Sequence, residues 1–134
     1  MIKKALITGF SSGIGFAYAK HLANNGWHLD LVSQNKDRAL SALDDLDYDH
    51  CFIHSCNLSS PEELHNLIKE ISTPDLLVAN AGIGINGSVG KNTPRDIQDA
   101  TYLMFGGIIN LIEHFLPKMK EKDPVWCDAR KSGY

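Results

Sequence analysis

Nowhere in this 134-residue chain does an apolar run last long enough to span a bilayer, and Met1-Ile2-Lys3-Lys4 passes straight into strand-like sequence instead of a signal-peptide hydrophobic region. A cytoplasmic location without a membrane is the expectation. Charge of one sign is also scarce. Thirteen basic against sixteen acidic residues leave a net charge of −3, so nothing points to a nucleic-acid or anionic-membrane surface, and neither partner is expected. Cys51, Cys56 and Cys127 are an odd number without a framework spacing, so reduced thiols are expected rather than disulfides. His50, Cys51, His54 and Cys56 crowd together, yet strand alternation divides them between two faces and their spacing fits no zinc site, so no metal is expected. Internal repeats and low-complexity tracts are absent.

What is present is 43% hydrophobic content arranged as alternating strand-like and helix-like segments with short connections, the pattern of one α/β domain with a parallel sheet. Strands are expected over 2–8, 28–33, 51–56 and 75–79. Helices are expected over 13–25, closed by Asn24-Asn25-Gly26, and over 36–46 with Ala39, Leu40, Leu43 and Leu46 on one face. A third helix runs to Ile71 from a cap at Ser59 or Ser60, with Pro61 at its first position and Glu62-Glu63 in its first turn. The length suffices for a core but is short for a complete doubly wound sheet.

Two corners carry the chemistry. Thr8-Gly9-Phe10-Ser11-Ser12-Gly13-Ile14-Gly15 joins the first strand to the first helix. Glycines there let backbone approach a pyrophosphate, the helix N-terminus presents free N–H groups to the anion, and Ser11 and Ser12 offer hydroxyls. The second corner, Asn80-Ala81-Gly82, ends the fourth strand. Ligands of open α/β sheets lie outside the carboxyl ends of the strands, so both corners face one crevice, and a buried Asn80 amide could tie neighbouring strands together.

With these residues the sequence resembles the short-chain dehydrogenase/reductase family over roughly residues 2–122. The resemblance implies a Rossmann-like doubly wound parallel sheet, here its N-terminal part of about four strands in the order 3-2-1-4. Residues 1–122 then form a partial NAD(P)-binding domain, and 123–134 a divergent tail. It implies dinucleotide contacts from Thr8, Gly9, Ser11, Ser12, Gly13, Ile14 and Gly15, from Asn80, Ala81 and Gly82, and from the adenine-contacting turn Asn57-Leu58, where Asn57 stands in place of the usual Asp. Cofactor preference in this family is set at the end of strand two, which falls on Ser33 and Gln34. Neither the acid that holds an NAD ribose nor the Arg that holds a 2′-phosphate is there. Without a repelling carboxylate, and with Lys36 and Arg38 close by, NADP is favoured and NAD remains open. Asp30 is the alternative ribose acid, but it sits mid-strand, too early in the chain.

The family's catalytic set is Asn, Ser, Tyr and Lys, of which the resemblance places the Asn on Met104, a residue that cannot relay a proton. Asn110, six residues on, is about 600° further round the helix and faces elsewhere. No Tyr-x3-Lys pair occurs, and Asp123 to Arg130 stands where a fifth strand is expected. The resemblance thus leaves no catalytic residue to assign and implies a truncated chain, inactive alone.

From Thr93-Pro94 to Lys120, Ile97, Ala100, Met104, Ile108, Leu111, Phe115 and Met119 form one helical stripe. Tyr102, Phe105, Ile109, Ile112 and Leu116 widen it. Two apolar sides suggest either a homo-oligomer through helix 95–120 or packing on more of the same domain. Two functions stay open: an NAD(P)-dependent oxidoreductase with an unreadable small-molecule substrate, or a non-catalytic nucleotide-binding or dimerisation module.

Overall fold

The computed structural model describes residues 2–11, 13–80 and 90–119, together with the backbone of 126–129. Four strands, β1 (Lys4–Thr8), β2 (His28–Ser33), β3 (Cys51–Ser55) and β4 (Leu76–Ala79), alternate with helices α1 (Gly13–Asn24), α2 (Lys36–Leu46) and α3 (Pro61–Glu70). After β4 come α4 (Pro94–Thr101), a π-helical turn (Tyr102–Gly106), α5 (Gly107–Met119) and a short strand β5 (Trp126–Ala129). All strand pairs are parallel, and the order is β3-β2-β1-β4-β5.

The expected order 3-2-1-4 holds for the first four strands. A fifth strand, beyond the four expected, lies on the outer side of β4: the backbone of Trp126–Ala129 pairs with Leu76–Ala79. An unpaired row of N–H and C=O groups beside a buried strand is a strong template, and a four-residue extended segment is enough to satisfy it.

Both faces of the central strands β1 and β4 are covered, which is why these two read as nearly unbroken apolar runs. On one face Ala5, Ile7, Leu29, Leu31 and Val78 pack against α1 and α2 through Ala19, Leu22, Ala39, Ala42 and Leu46. On the other, Leu6, Val32 and Leu77 meet α3, the π turn and α5 through Leu64, Ile68, Leu103, Leu111, Phe115 and Met119. Local signals set the helix starts. Asn35 Oδ1 accepts from the Arg38 N–H at 2.9 Å to cap α2, Ser60 caps α3 ahead of Pro61, and Thr93 with Asp96 forms a reciprocal capping box on α4.

The helical arm after β4 departs from the 3.6-residue stripe. Its buried residues are Ala100, Leu103, Gly107, Leu111, Phe115 and Met119. Met104 and Ile108 are only half-buried, and Ile97 is exposed. The π turn accommodates an extra residue, with the Gly107 N–H reaching back to the Tyr102 C=O, so the inward row is displaced by one position relative to a continuous α-helix.

Candidate functional site

Parallel pairing in register brings the carboxyl ends of β1, β2, β3 and β4 to one side of the sheet: Thr8 lies beside Val32 and Ala79, and Ser33 beside Ser55. The residues following each strand therefore share a crevice.

At its centre β1 hands over to α1. Gly9 (φ 66°) and Gly13 (φ 58°) occupy the left-handed region, where a side chain is strained. The Gly9 N–H donates to the Val32 C=O at 3.0 Å, holding the loop to β2. From the other side the buried Asn80 closes the corner: its backbone N–H donates to Thr8 Oγ1 at 3.0 Å and its Nδ2 to the Gly9 C=O at 3.3 Å. Gly15 fits beneath this clasp because it has no Cβ, which would lie 2.1 Å from the Gly9 oxygen and 2.8 Å from Asn80 Nδ2. Thr8, Gly9, Gly15 and Asn80 thus form one hydrogen-bonded unit, with Ile14 exposed at the first turn of α1 and open space where a Gly13 Cβ would project. Ser12, Ala81 and Gly82 lie outside the described residues.

The flanking positions divide. Ser33 is buried and its hydroxyl donates to the Asn35 C=O at 3.3 Å, whereas Gln34 is exposed. An open depression of about 370 Å³ runs from Ser11 and Gly13 past Phe16 to Arg38, Ser41 and Asp45, which brings a guanidinium to the rim of the glycine corner. Asn57 does not present a free amide oxygen: its Oδ1 accepts from the Ser59 N–H at 3.1 Å and the Ser59 hydroxyl at 2.6 Å. Its backbone N–H donates to Glu63 Oε1 at 3.2 Å. Leu58 is buried in the core beneath this turn. Burial, and secondarily the Glu63 carboxylate, pushes the neighbouring Cys56 thiol up to about 11, so it stays protonated at neutral pH and supplies no nucleophile.

Asp30, in the middle of β2, is engaged within the sheet. It is buried, with Oδ1 2.9 Å from His54 Nε2 and Oδ2 2.8 Å from Lys4 Nζ, the latter a charge contact off the line of a hydrogen bond. Sequence reasoning missed this triad because its members come from three different strands. It also missed Leu103 and Gly107, for which the Gly106-Gly107 pair was the available signal. Met104 sits within the π turn, and Asn110 donates from Nδ2 to the Tyr102 hydroxyl at 2.8 Å. A wider depression, about 610 Å³, lies between α3 and α5, lined by Leu64, His65, Tyr102, Asn110 and His114. Among the described residues it has no lining residue in common with the depression beside Arg38.

A dinucleotide fits the chemistry of this corner. Its backbone is bare where a phosphate would approach, and the buried Asn80 Oδ1 finds no hydrogen-bond donor among the described residues. Among those residues no helix is long and apolar enough to cross a membrane.

The sequence profile of the short chain dehydrogenase family matches residues 3–124. A 3-oxoacyl-[acyl-carrier-protein] reductase from Rickettsia typhi is 43% identical over 81 residues, covering 60% of this chain and 33% of the relative. A short-chain dehydrogenase from Sphingobium yanoikuyae, solved in complex with NADPH, superposes with a TM-score of 0.81 at 25% identity, covering 94% of this chain and 52% of that one. L-sorbose reductase from Gluconobacter frateurii, complexed with NADPH and L-sorbose, gives 0.75 at 28% identity, with 90% and 48% covered. The chain spans between a third and about half of the length of these relatives.

Proposed function

The chain belongs to the short-chain dehydrogenase family, and from that premise we propose that it carries the cofactor-holding half of an oxidoreductase site that takes NADP(H). The observation that carries the reading is the clasp of Thr8, Gly9, Gly15 and Asn80 at the shared strand ends.

The residues have distinct parts in holding the group. Backbone N–H groups at Ser11, Gly13 and Ile14 receive the pyrophosphate, favoured by the positive end of the α1 dipole, and the family resemblance adds Ser12 to the contacts. Asn80 keeps the Gly9 carbonyl fixed so that the loop is shaped before the ligand arrives. Ser33 and Gln34 add no negative charge at the ribose, and Arg38 beside Ser11 is the cation in reach of a 2′-phosphate. The family resemblance adds Ala81 and Gly82 to the cofactor contacts, and the Asn57-Leu58 turn borders the adenine through backbone and the Asn57 amine. When bound, NADPH would supply a hydride to a carbonyl substrate, and NADP+ would accept one from an alcohol.

The residues that would move the accompanying proton are not within these 134: Met104 can neither donate nor relay one, and no Tyr-x3-Lys pair is present. Assayed alone, the 134-residue chain is therefore expected to bind cofactor without turnover. Half-buried Met104 and the exposed Phe105 and Ile109 on the arm favour a second reading, a non-catalytic nucleotide-binding or dimerisation module paired through residues 95–120. The two unpaired thiols Cys51 and Cys56 support a cytoplasmic setting.

Calorimetric titration tests the reading. NADPH should bind the parent chain, fail to bind Gly13→Val, and bind Arg38→Ala about tenfold more weakly while NADH affinity is unchanged. Equal NADPH affinity in the parent and Gly13→Val would remove the glycine corner from the account. Reproducible NADPH oxidation with a panel of ketones and aldehydes would establish catalysis by these residues and end the cofactor-half reading.

A further inference from the structure

The sheet has one edge that nothing in its own sequence protects. Among the described residues β3 is the outermost strand, paired to β2 alone. The Leu29 N–H donates to the His50 C=O, and the Cys56 N–H donates to the Ser33 C=O. In a parallel ladder this phase turns the peptide groups of His50, Phe52, His54 and Cys56 toward β2, and those of Cys51, Ile53 and Ser55 outward. Edge strands are usually blunted by lysine, proline or inward-pointing charge. Residues 50–56, His-Cys-Phe-Ile-His-Ser-Cys, contain no Lys, Arg, Asp, Glu or Pro. Phe52 is 66% exposed on this strand, although its face is the one that α3 covers further along the sheet.

We propose that this edge is an interaction surface for a second copy of the chain, with β3 pairing antiparallel to its symmetry mate about Ile53. The register follows from the phase of the peptide groups. Ile53 opposite Ile53 of the other copy, and Cys51 opposite Ser55, places every outward N–H against an outward C=O, the closing pattern of an antiparallel pair. Phe52 then lies directly across from His54, an aromatic–imidazole pair that covers the exposed ring. His54 is already held from below by Asp30, so it presents a fixed ring.

Charge selects the direction. The segment before β3 is acidic, with Asp44, Asp45, Asp47 and Asp49, and the segment after it, Asn57 to Ser60, is neutral. The antiparallel register sets Asp49 beside Asn57 of the other copy. A parallel alignment would set the acidic segments against each other. A five-residue strand contributes a small interface, so the dimer should be concentration-dependent rather than permanent. The surface is a strand edge, whereas the α4–α5 arm packs on a face of the sheet against Leu6, Val32 and Leu77.

Light scattering on the full chain carrying Ile109→Glu, which disables pairing through the arm, isolates this edge. That protein should pass from monomer to dimer as concentration rises, and adding the exposed Phe52→Lys should weaken the dimer about tenfold with an unchanged thermal melt. In the same background Ser55→Cys should yield, on mild oxidation, an interchain disulfide that peptide mapping assigns to Cys51 and position 55. A monomer at all concentrations, a dimer indifferent to Phe52→Lys, or a crosslink mapping to any other pair would overturn the proposal. None of these outcomes depends on NADPH binding, so failure here leaves the cofactor reading standing.

Discussion

The glycine corner and the α4–α5 arm sit on one sheet and are built by different forces. The corner is made of backbone: two left-handed glycines, a Cβ-free contact at Gly15, and an asparagine that bonds both Thr8 and the Gly9 carbonyl. The arm is made of apolar side chains, with Phe115 and Met119 fully buried and Phe105 and Ile109 facing out. Where backbone geometry makes the site, identity is tightly specified. Where burial makes it, size and polarity are enough.

That contrast can be broken by substitution, most sharply at Gly15. Gly15→Val puts atoms on the Gly9 oxygen, so the loop must open; NADPH binding should vanish and the melting temperature fall, measured by titration and calorimetry on one sample. Retained binding would mean the loop is not the rigid cradle described. In the arm, Phe115→Ala leaves a cavity and should cost about 3–5 kcal/mol by denaturant unfolding, while NADPH affinity of the folded fraction stays at the parent value. A parallel loss of affinity would erase the distinction between the two regions.

How much of this could be read beforehand follows the same division. Gly13, Gly15, Asn80, the cap at Ser60, and α2 over 36–46 were legible because each depends on a local conformational preference that residue type encodes. The engagement of Asn57 by Ser59 was not, since the expectation gave that amide to the adenine. The tie of Asp30 to Lys4 and His54 needs three strands in register before it exists. The displaced row through Leu103 and Gly107 was hidden because a 3.6-residue period was carried unbroken across a π turn. β5 was hidden because Pro124 and Asp128 flank and interrupt its apolar residues, and its pairing is a property of β4's open edge rather than of its own sequence.

Smaller effects sharpen the comparison. Asn80→Ala removes the donor to the Gly9 carbonyl but keeps the backbone bond to Thr8, so it should cost about 1–3 kcal/mol and weaken NADPH more than it lowers the melt. Unchanged affinity would show that the loop holds its own shape. The smallest effect lies in the arm. Hydrogen bonds from Thr93 hold the Asp96 carboxyl below its ordinary value, so its folded pKa is under its unfolded one. The capping contribution is therefore complete above the ordinary carboxylate range near pH ~4 and is lost as pH falls through the lowered value. The Thr93 amide resonance should report fraying of the first turn of α4 in that acid window, with the glycine corner unaffected.

The central position of β1 also sets the order in which the chain can assemble. β1 pairs with β2 after one helix, but its other neighbour arrives much later: the bond from the Lys4 N–H to the Asp75 carboxylate spans 71 residues. On a ribosome, β3-β2-β1 can form while β4 is still unmade, leaving Thr8 and Gly9 without the asparagine that clasps them. Long-range parallel closure is intrinsically slow, so the rate-limiting event in refolding should be the insertion of β4 against β1, and the cradle should become competent for ligand only at that last step.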